Sequence, residues 1–403
     1  MNLGAGVHLT YCSNIHPGES WTEVRGNFDR YVVAVRDRLM PAGDFGVGLR
    51  LSARAAAELS EPSVLAEFRD FLHRNRMYVF TLNGFPYGTF HGTRVKEDVY
   101  LPDWRDPERL RYSDLLANLL AELLPDPSPG NPAIEGSVST VPGAFKPALT
   151  GPLDVAIIVE HLLRHVAHLV ELRLRTGRLI ALALEPEPHC LLETIDEAIV
   201  FFERELHGKA AVRRTMELTG LDRAAAVRAL HDHLGVCLDL CHAAVEFEHP
   251  AGCIRRLGQA GIRVHKMQIS AGLRLPTLDA DALEALKRFD DPVYLHQVVQ
   301  QGPGGLSRFA DLPAALESLK GSTAGLEWRV HFHVPIFLDR LAPFSSTQSF
   351  VRQVLAIHRA KPVSAHLEVE TYTWDVLPEP FRSGAVDVAV ARELEWVRTE
   401  LTS

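Results

Sequence analysis

Ala181-Leu-Ala-Leu-Glu185-Pro-Glu187-Pro188 and Val236-Cys-Leu-Asp239-Leu-Cys-His242 are short aliphatic runs that stop abruptly at acidic or imidazole side chains. That is the pattern of a buried parallel strand whose C-terminal end opens into a polar cup. Buried carboxylates need a partner. A divalent cation is the simplest group able to hold a Glu and an Asp-x-x-His from two strand ends on one rim. These two stretches predict a metal-centred parallel α/β barrel enzyme.

Runs of the same kind recur at 7–12, 45–51, 77–82, 134–139, 179–185, 236–239, 264–269, 294–299, 328–334 and 366–369. Helical patterns separate them, which calls for parallel strands joined by crossover helices. A barrel uses eight strands, so two of the last four runs are expected in an inserted ribbon or outside the ring. Helical periodicity covers 52–74 and 153–176, and Thr194-x-x-Glu197 reads as a capping box. Gly177 and Gly220 stand where helices should stop. The long connections at 84–111 and 125–132 are rich in Gly, Pro, aromatic or charged residues and read as lids or binding loops. With no linker or repeat in view, 1–403 is read as one domain.

The chain has 403 residues, 46% hydrophobic and 23% charged, enough to bury a large core. A net charge of -9 and a pI near 6.1 give no field for nucleic acid, so a small polar molecule is the expected partner. Cys12, Cys190, Cys237, Cys241 and Cys253 lack C-x-x-C spacing, which suits reduced thiols packed as small hydrophobes. Without a signal-like N-terminus or a membrane-length apolar run, the expected location is cytoplasmic, with no membrane insertion. There is no phosphate loop, and Gly302-Pro-Gly-Gly305 does not open a dinucleotide site.

Function in such barrels sits at the C-terminal ends of strands. Those ends read Asn14 and His16, Asn83, Ser137 and Ser139, Glu185 and Glu187, Asp239 and His242, Lys266 and Gln268, His296, His331 and His333, and Glu368 and Glu370. Side chains alternate along a strand, so Glu185 shares a face with the small Ala181 and Ala183 and points inward. Glu185 is therefore the expected ligand and Glu187 its support. Asp239 and His242 are spaced to reach one centre as the strand curls into a helix. His331 and His333 share a face, as do Glu368 and Glu370, and parity does not rank either pair. His161, His165 and His168 lie on a helix expected outside the barrel, Asp232 and His233 on a solvated helix end, and Cys237 and Cys241 in the core.

These residues resemble the xylose isomerase-like TIM-barrel superfamily of sugar isomerases, sugar epimerases and endonuclease IV-type enzymes. The likeness lies in the order Glu185, Asp239 with His242, Gln268, and a late Glu368. More narrowly, Tyr11-Cys-Ser-Asn14, Phe90-His91-Gly92 with Val99-Tyr100-Leu-Pro-Asp-Trp104, Gly136-Ser-Val-Ser-Thr-Val-Pro-Gly143, Leu184-Glu-Pro-Glu-Pro188, His331-Phe-His-Val-Pro335 and Glu370-Thr-Tyr-Thr-Trp374 resemble the EboE-type metabolite traffic proteins over essentially the whole chain. The resemblance implies a (β/α)8 TIM barrel of the xylose isomerase-like type, with long βα loops and extra strands near the C-terminus. It implies a divalent metal ion, Mn, Co, Zn or Mg, held by Glu185, Asp239, His242, Gln268 and Glu368. Family members carry His where this chain has Gln268, so His265, His296 and His333 are the alternatives there.

The leading expectation is an isomerase or epimerase of a sugar, polyol or cyclitol-like metabolite, in a specialised-metabolite pathway linked to a membrane export system. In that chemistry Glu185 and Glu368 exchange the proton and Lys266 assists the developing negative charge. Asn14, His16, Asn83, His91, Glu187, His296, His333 and Glu370 are the expected substrate contacts. A non-catalytic metabolite-binding barrel and a metal-dependent hydrolase or lyase remain the alternatives.

Overall fold

Eight of the aliphatic runs do line up side by side: Val7–Tyr11, Phe45–Arg50, Met77–Asn83, Gly136–Thr140, Ile180–Leu184, Leu234–Asp239, Val264–Ile269 and His366–Val369 pair in parallel in that order, the eighth returning to the first. The structure is a computed structural model and describes residues 1–92, 94–127, 133–378 and 384–402. Between the first and second strands the ladder narrows to one bridge, Cys12 with Gly48. The Thr10 hydroxyl completes that seam, donating to the Gly46 carbonyl at 2.8 Å and accepting from Gly48 N–H at 2.9 Å. Gly48 is obligatory in this place, because a Cβ would lie 2.7 Å from the Tyr11 carbonyl and on top of the Glu368 carboxylate.

The helices wrap the ring with their apolar sides inward. Pro152–Thr176 buries Ile158, Leu162, Val166 and Leu169 and stops at Gly177, whose φ of 72° needs no Cβ. Thr194 and Glu197 form the expected capping box. The helix expected over 52–74 is two helices, Ala53–Leu59 and Pro62–Arg74, because Pro62 cannot donate the backbone bond that continuity requires. His233, expected in solvent, is buried and donates Nδ1–H to the Ile180 carbonyl at 2.6 Å.

A second, antiparallel sheet of six strands is threaded between the seventh and eighth barrel strands. Its order is Gly305–Phe309, Val298–Gly302, Glu327–Val334, Ala271–Leu275, Phe344–Ser346 and Arg340–Leu341. The runs expected at 294–299 and 328–334 belong here, and Gly302-Pro-Gly-Gly305 is the turn of a hairpin. This sheet roofs the mouth of the barrel. Gly272 lets it approach, since a Cβ there would lie 3.0 Å from Cys241 Sγ and 3.1 Å from Val245. A bulge between Val330 and His333 re-aims the strand, and both His331 and His333 end up fully buried over the sixth barrel strand. Thr93 and residues 128–132, within the two long loops noted from the sequence, lie outside the described residues.

Candidate metal centre

Carboxylates from three strand ends meet under this roof. Glu185, Asp239 and Glu370 each present an oxygen within 4.8 Å of the others, and all three are buried. Ligands on opposite sides of a divalent ion bound by oxygen stand about 4–5 Å apart, so the trio is ion-sized.

Two of the three, Asp239 and Glu370, are tied in place by hydrogen bonds. Asp239 Oδ1 accepts from His242 N–H at 2.9 Å, capping the helix Leu240–Val245, and from Ser270 Oγ at 2.8 Å. Its Oδ2 is buried without a partner. Glu370 Oε1 accepts from Asn14 Nδ2 at 2.7 Å and Asn83 Nδ2 at 3.0 Å, which ties the first and third strands to the eighth. Glu185 Oε2 has no partner. Burial, then the neighbouring Glu370 and Asp239 carboxylates, push Glu185 well above the usual carboxylate range. Burial, Asp239 and Glu368 do the same to Glu370. Repulsion of this kind is what a cation relieves.

His333 adds a nitrogen. Its Nδ1–H donates to the Glu370 carbonyl at 2.9 Å, fixing the tautomer that leaves Nε2 bare, and this Nε2 is buried without a partner. Burial lowers its pKa to about 4, so the ring is neutral at physiological pH. It groups with Asp239 and His242 within the same 4.8 Å. The unpartnered Asp239 Oδ2 and His333 Nε2, on side chains oriented by hydrogen bonds, together with the unpartnered Glu185 Oε2, fit a divalent cation.

Two residues assigned to the ion from the sequence sit lower in the barrel. Glu368 pairs with Lys266 Nζ at 2.6 Å, both side chains fully buried, and Lys266 reaches Ser139 Oγ at 3.3 Å and the Leu82 carbonyl at 3.5 Å. Burial pulls the Lys266 ammonium down, but Glu368 outweighs it and the net shift is upward. Gln268 takes a hydrogen bond from the Cys237 thiol at 3.0 Å. Glu370 and His333 stand where Glu368 and Gln268 were expected, because the chain beyond the eighth strand and the inserted sheet reach further over the rim than the strands do.

Above the trio lies a pocket of about 520 Å³ of empty space, open to solvent. Asn14, Asn83, Glu185, Glu187, His242, His331 and Glu370 give it a polar floor and side, while Phe85, Phe90, Tyr100, Tyr294 and Tyr372 form an aromatic wall. Of the other expected contacts, His16 stacks on Tyr31 and bonds Tyr11 OH at 3.0 Å, away from this pocket. His91 bonds the Asn14 carbonyl at 2.6 Å and Tyr294 OH at 2.9 Å, bracing the wall from behind. His296 is paired with Asp291 in the roof. Alternative ligand His265 lies at the far end of the barrel, against Gly235. The three histidines of the long outer helix are spoken for by the adjacent helix and the loop before it: His161 by the Trp104 carbonyl, His165 by Asp114 and His168 by Asn118. Phe85, Phe90 and Tyr100 of the aromatic wall come from the 84–111 connection read as a lid or binding loop, whereas the parts of Tyr294 and Tyr372 were not read from the sequence.

No protein-family model matches the chain, and no curated protein matches it. Among solved structures it is similar to a xylose isomerase-like TIM-barrel protein from Mycobacterium smegmatis in complex with magnesium, at 13% identity and a TM-score of 0.52, over 100% of this chain and 99% of that one. The fold is a xylose isomerase-like TIM barrel. A second similar structure is the 3-keto-D-glucoside 4-epimerase YcjR from E. coli, at 13% identity and a TM-score of 0.44, over 98% of this chain and 99% of that one. In this barrel the roof strands supply His331 and His333, and the ring supplies the acids. Among the described residues no helix is long and apolar enough to cross a membrane.

Proposed function

We infer that the protein is a divalent-metal-dependent isomerase or epimerase acting on a sugar, polyol or cyclitol-like metabolite. The observation that carries this is the convergence of Glu185, Asp239 and Glu370, with a bare His333 Nε2 grouped with Asp239, beside a pocket that Glu185 and Glu370 line. The similar M. smegmatis barrel is a complex with magnesium, which supports a divalent cation on this fold. Glu185, Asp239, Glu370 and His333 would hold it.

When bound, the cation supplies a Lewis acid beside the substrate's carbonyl or hydroxyl oxygens. Of the three acids that line the pocket, Glu185 and Glu370 belong to the carboxylate trio, and they rise from different strands. One takes the proton from the carbon next to the carbonyl and the other returns it. Asn14 and Asn83 fix Glu370 for that transfer, and the aromatic wall excludes water and packs on the C–H faces of a ring. Glu368, expected from the sequence as the second acid, is paired with Lys266 and lies outside the pocket lining. The narrower likeness to EboE-type metabolite traffic proteins would put the substrate in a specialised-metabolite pathway served by an export system.

The test is solvent deuterium exchange by the metal-loaded protein across a panel of ketoses, inosose-type cyclitols and keto-glycosides. Incorporation of deuterium at the carbon beside the carbonyl is expected, and it should vanish in Glu185→Gln and Glu370→Gln. Ligand-induced thermal stabilisation with no exchange on any member would make the pocket a binding module instead.

A further inference from the structure

A second cleft, with about 630 Å³ of empty space, lies where the inserted sheet meets the starts of two helices, Pro250–Gln259 and Gln348–Ala360. It shares no lining residue with the pocket above the carboxylate trio. Arg274 and Arg329 line it, and the ladder sets them directly opposite each other on adjacent antiparallel strands. Like charges in that relation repel. One carboxylate is shared between them: Glu327 accepts from Arg274 Nε at 2.9 Å and Nη2 at 2.8 Å, and from Arg329 Nε at 2.9 Å. The exposed Asp339 is the smallest of the influences on Arg274. Two guanidiniums on one carboxylate leave a positive charge over. Among the described residues, Arg274 Nη1 and Arg329 Nη2 have no hydrogen-bond partner.

Arg329 is held on two further sides. Its Nη1 donates to the Ala244 carbonyl at 2.6 Å, and its guanidinium lies 3.8 Å over the Phe247 ring. Phe247 has a φ of 57°, a left-handed conformation that is costly for a bulky side chain, and that turn brings its ring beneath the guanidinium. A guanidinium fixed in this way presents its remaining donors in one orientation, as recognition of an oxyanion requires.

The helix starts add to the positive field. Neither helix has an acid in its first turn. Thr347, at the N-cap of Gln348–Ala360, does not cap it, because its hydroxyl is turned to the roof and accepts from Gly272 N–H at 2.8 Å. The acid of the lining, Glu248, is engaged by Arg256 Nη2 at 2.7 Å and Ile195 N–H at 2.9 Å.

We propose that this cleft binds an oxyanion of the phosphate class, between the Arg274–Arg329 pair and the start of helix Gln348–Ala360. Arginine forks and helix N-termini both offer N–H donors in the geometry that phosphoryl oxygens accept. Phe247 and Phe350 wall the remaining space, which has room for the organic part of a phosphorylated metabolite. Arg329 stands two residues before His331 on one strand, so an occupant bears on the strand that roofs the metal centre.

The test is calorimetric titration of the full chain with inorganic phosphate, glycerol 3-phosphate and glucose 6-phosphate, in chelator so that the metal centre does not contribute. Saturable binding is expected. Tighter binding of an ester would identify a phosphorylated metabolite as the occupant, and equal or tighter binding of inorganic phosphate the free ion. Arg274→Gln removes a donor and leaves Glu327 paired with Arg329. Ser349→Asp puts a carboxylate at an exposed position in the first turn, where it favours the helix but repels an anion. Each should weaken binding about 10- to 100-fold, the loss expected for a charge-assisted hydrogen bond. No saturation with any of the three probes, or binding that either substitution leaves unchanged, would overturn the proposal without touching the carboxylate centre.

Discussion

Replacing Lys266 with methionine removes the ammonium that faces Glu368 in the barrel interior, 2.6 Å away and sealed from solvent. The variant keeps the stem's volume but leaves a buried carboxylate beside Glu370 with no counter-charge, and breaking such a pair from one side costs about 3–5 kcal/mol. If the whole chain of 403 residues unfolds together, its unfolding entropy is about 0.85 kcal/mol/K, so the midpoint should fall by roughly 4–6 °C. Removing both charges, in Lys266→Met with Glu368→Leu, eliminates the orphan and should recover most of that loss, because an apolar pair of similar volume often matches a buried ion pair. Scanning calorimetry of wild type, both single variants and the double variant, in chelator at one pH, completes a double-mutant cycle. A single variant as stable as wild type, or losses that simply add, would refute the idea that the pair acts as one neutral plug beneath the site.

Asp239→Asn keeps an oxygen to cap the Leu240–Val245 helix but removes a charge from the trio. In chelator it should melt no lower than wild type, while the metal-induced stabilisation, about 2.7 kcal/mol at a hundredfold excess over Kd, should be abolished in thermal-shift assays. Glu393 is buried in the C-terminal helix Val386–Thr402, accepting from Thr371 Oγ1 at 2.8 Å and Ile336 N–H at 3.1 Å, and burial raises it from the ordinary 4.5 to about 7. The folded state therefore keeps a proton that the unfolded chain has released. Stability should fall by roughly 3 kcal/mol as pH rises from about 4.5 through 7, and urea titrations of Glu393→Gln should show that part of the slope gone. Gly48→Ala should lower stability by about 1–3 kcal/mol, since its methyl collides with the Tyr11 carbonyl and the Glu368 carboxylate, while chelator-stripped protein reloaded with metal should retain its capacity.

The barrel itself was legible in the sequence because each strand is buried on both sides, so runs such as Ala181-Leu-Ala-Leu184 announce themselves as unbroken aliphatic stretches. The roof was only half legible. Its strands at 271–275 and 305–309 alternate weakly or are exposed, and they read like loop. Within the site, strand parity turned Glu185 inward, and the Asp-x-x-His spacing set Asp239 near His242, two residues that the structure groups. The choice between Glu368 and Glu370 was invisible, since the two share a face and differ only in height along the barrel axis. Height is set by strand stagger and by how far Lys266 extends from the neighbouring strand, neither of which local sequence encodes. The role of His333 depends on a bulge between Val330 and His333, a one-residue irregularity that periodicity cannot reveal.

Among the described residues the two sheets share no hydrogen-bond ladder, although one is stitched into the chain between the last two staves of the other. Selection can therefore redraw the ceiling, its tilt, its imidazoles and the shape it leaves for a visitor, without re-registering a single stave. The acids below stay in place through such remodelling, so a new appetite for substrates would be written in residues 271–346 long before it was written in the ring.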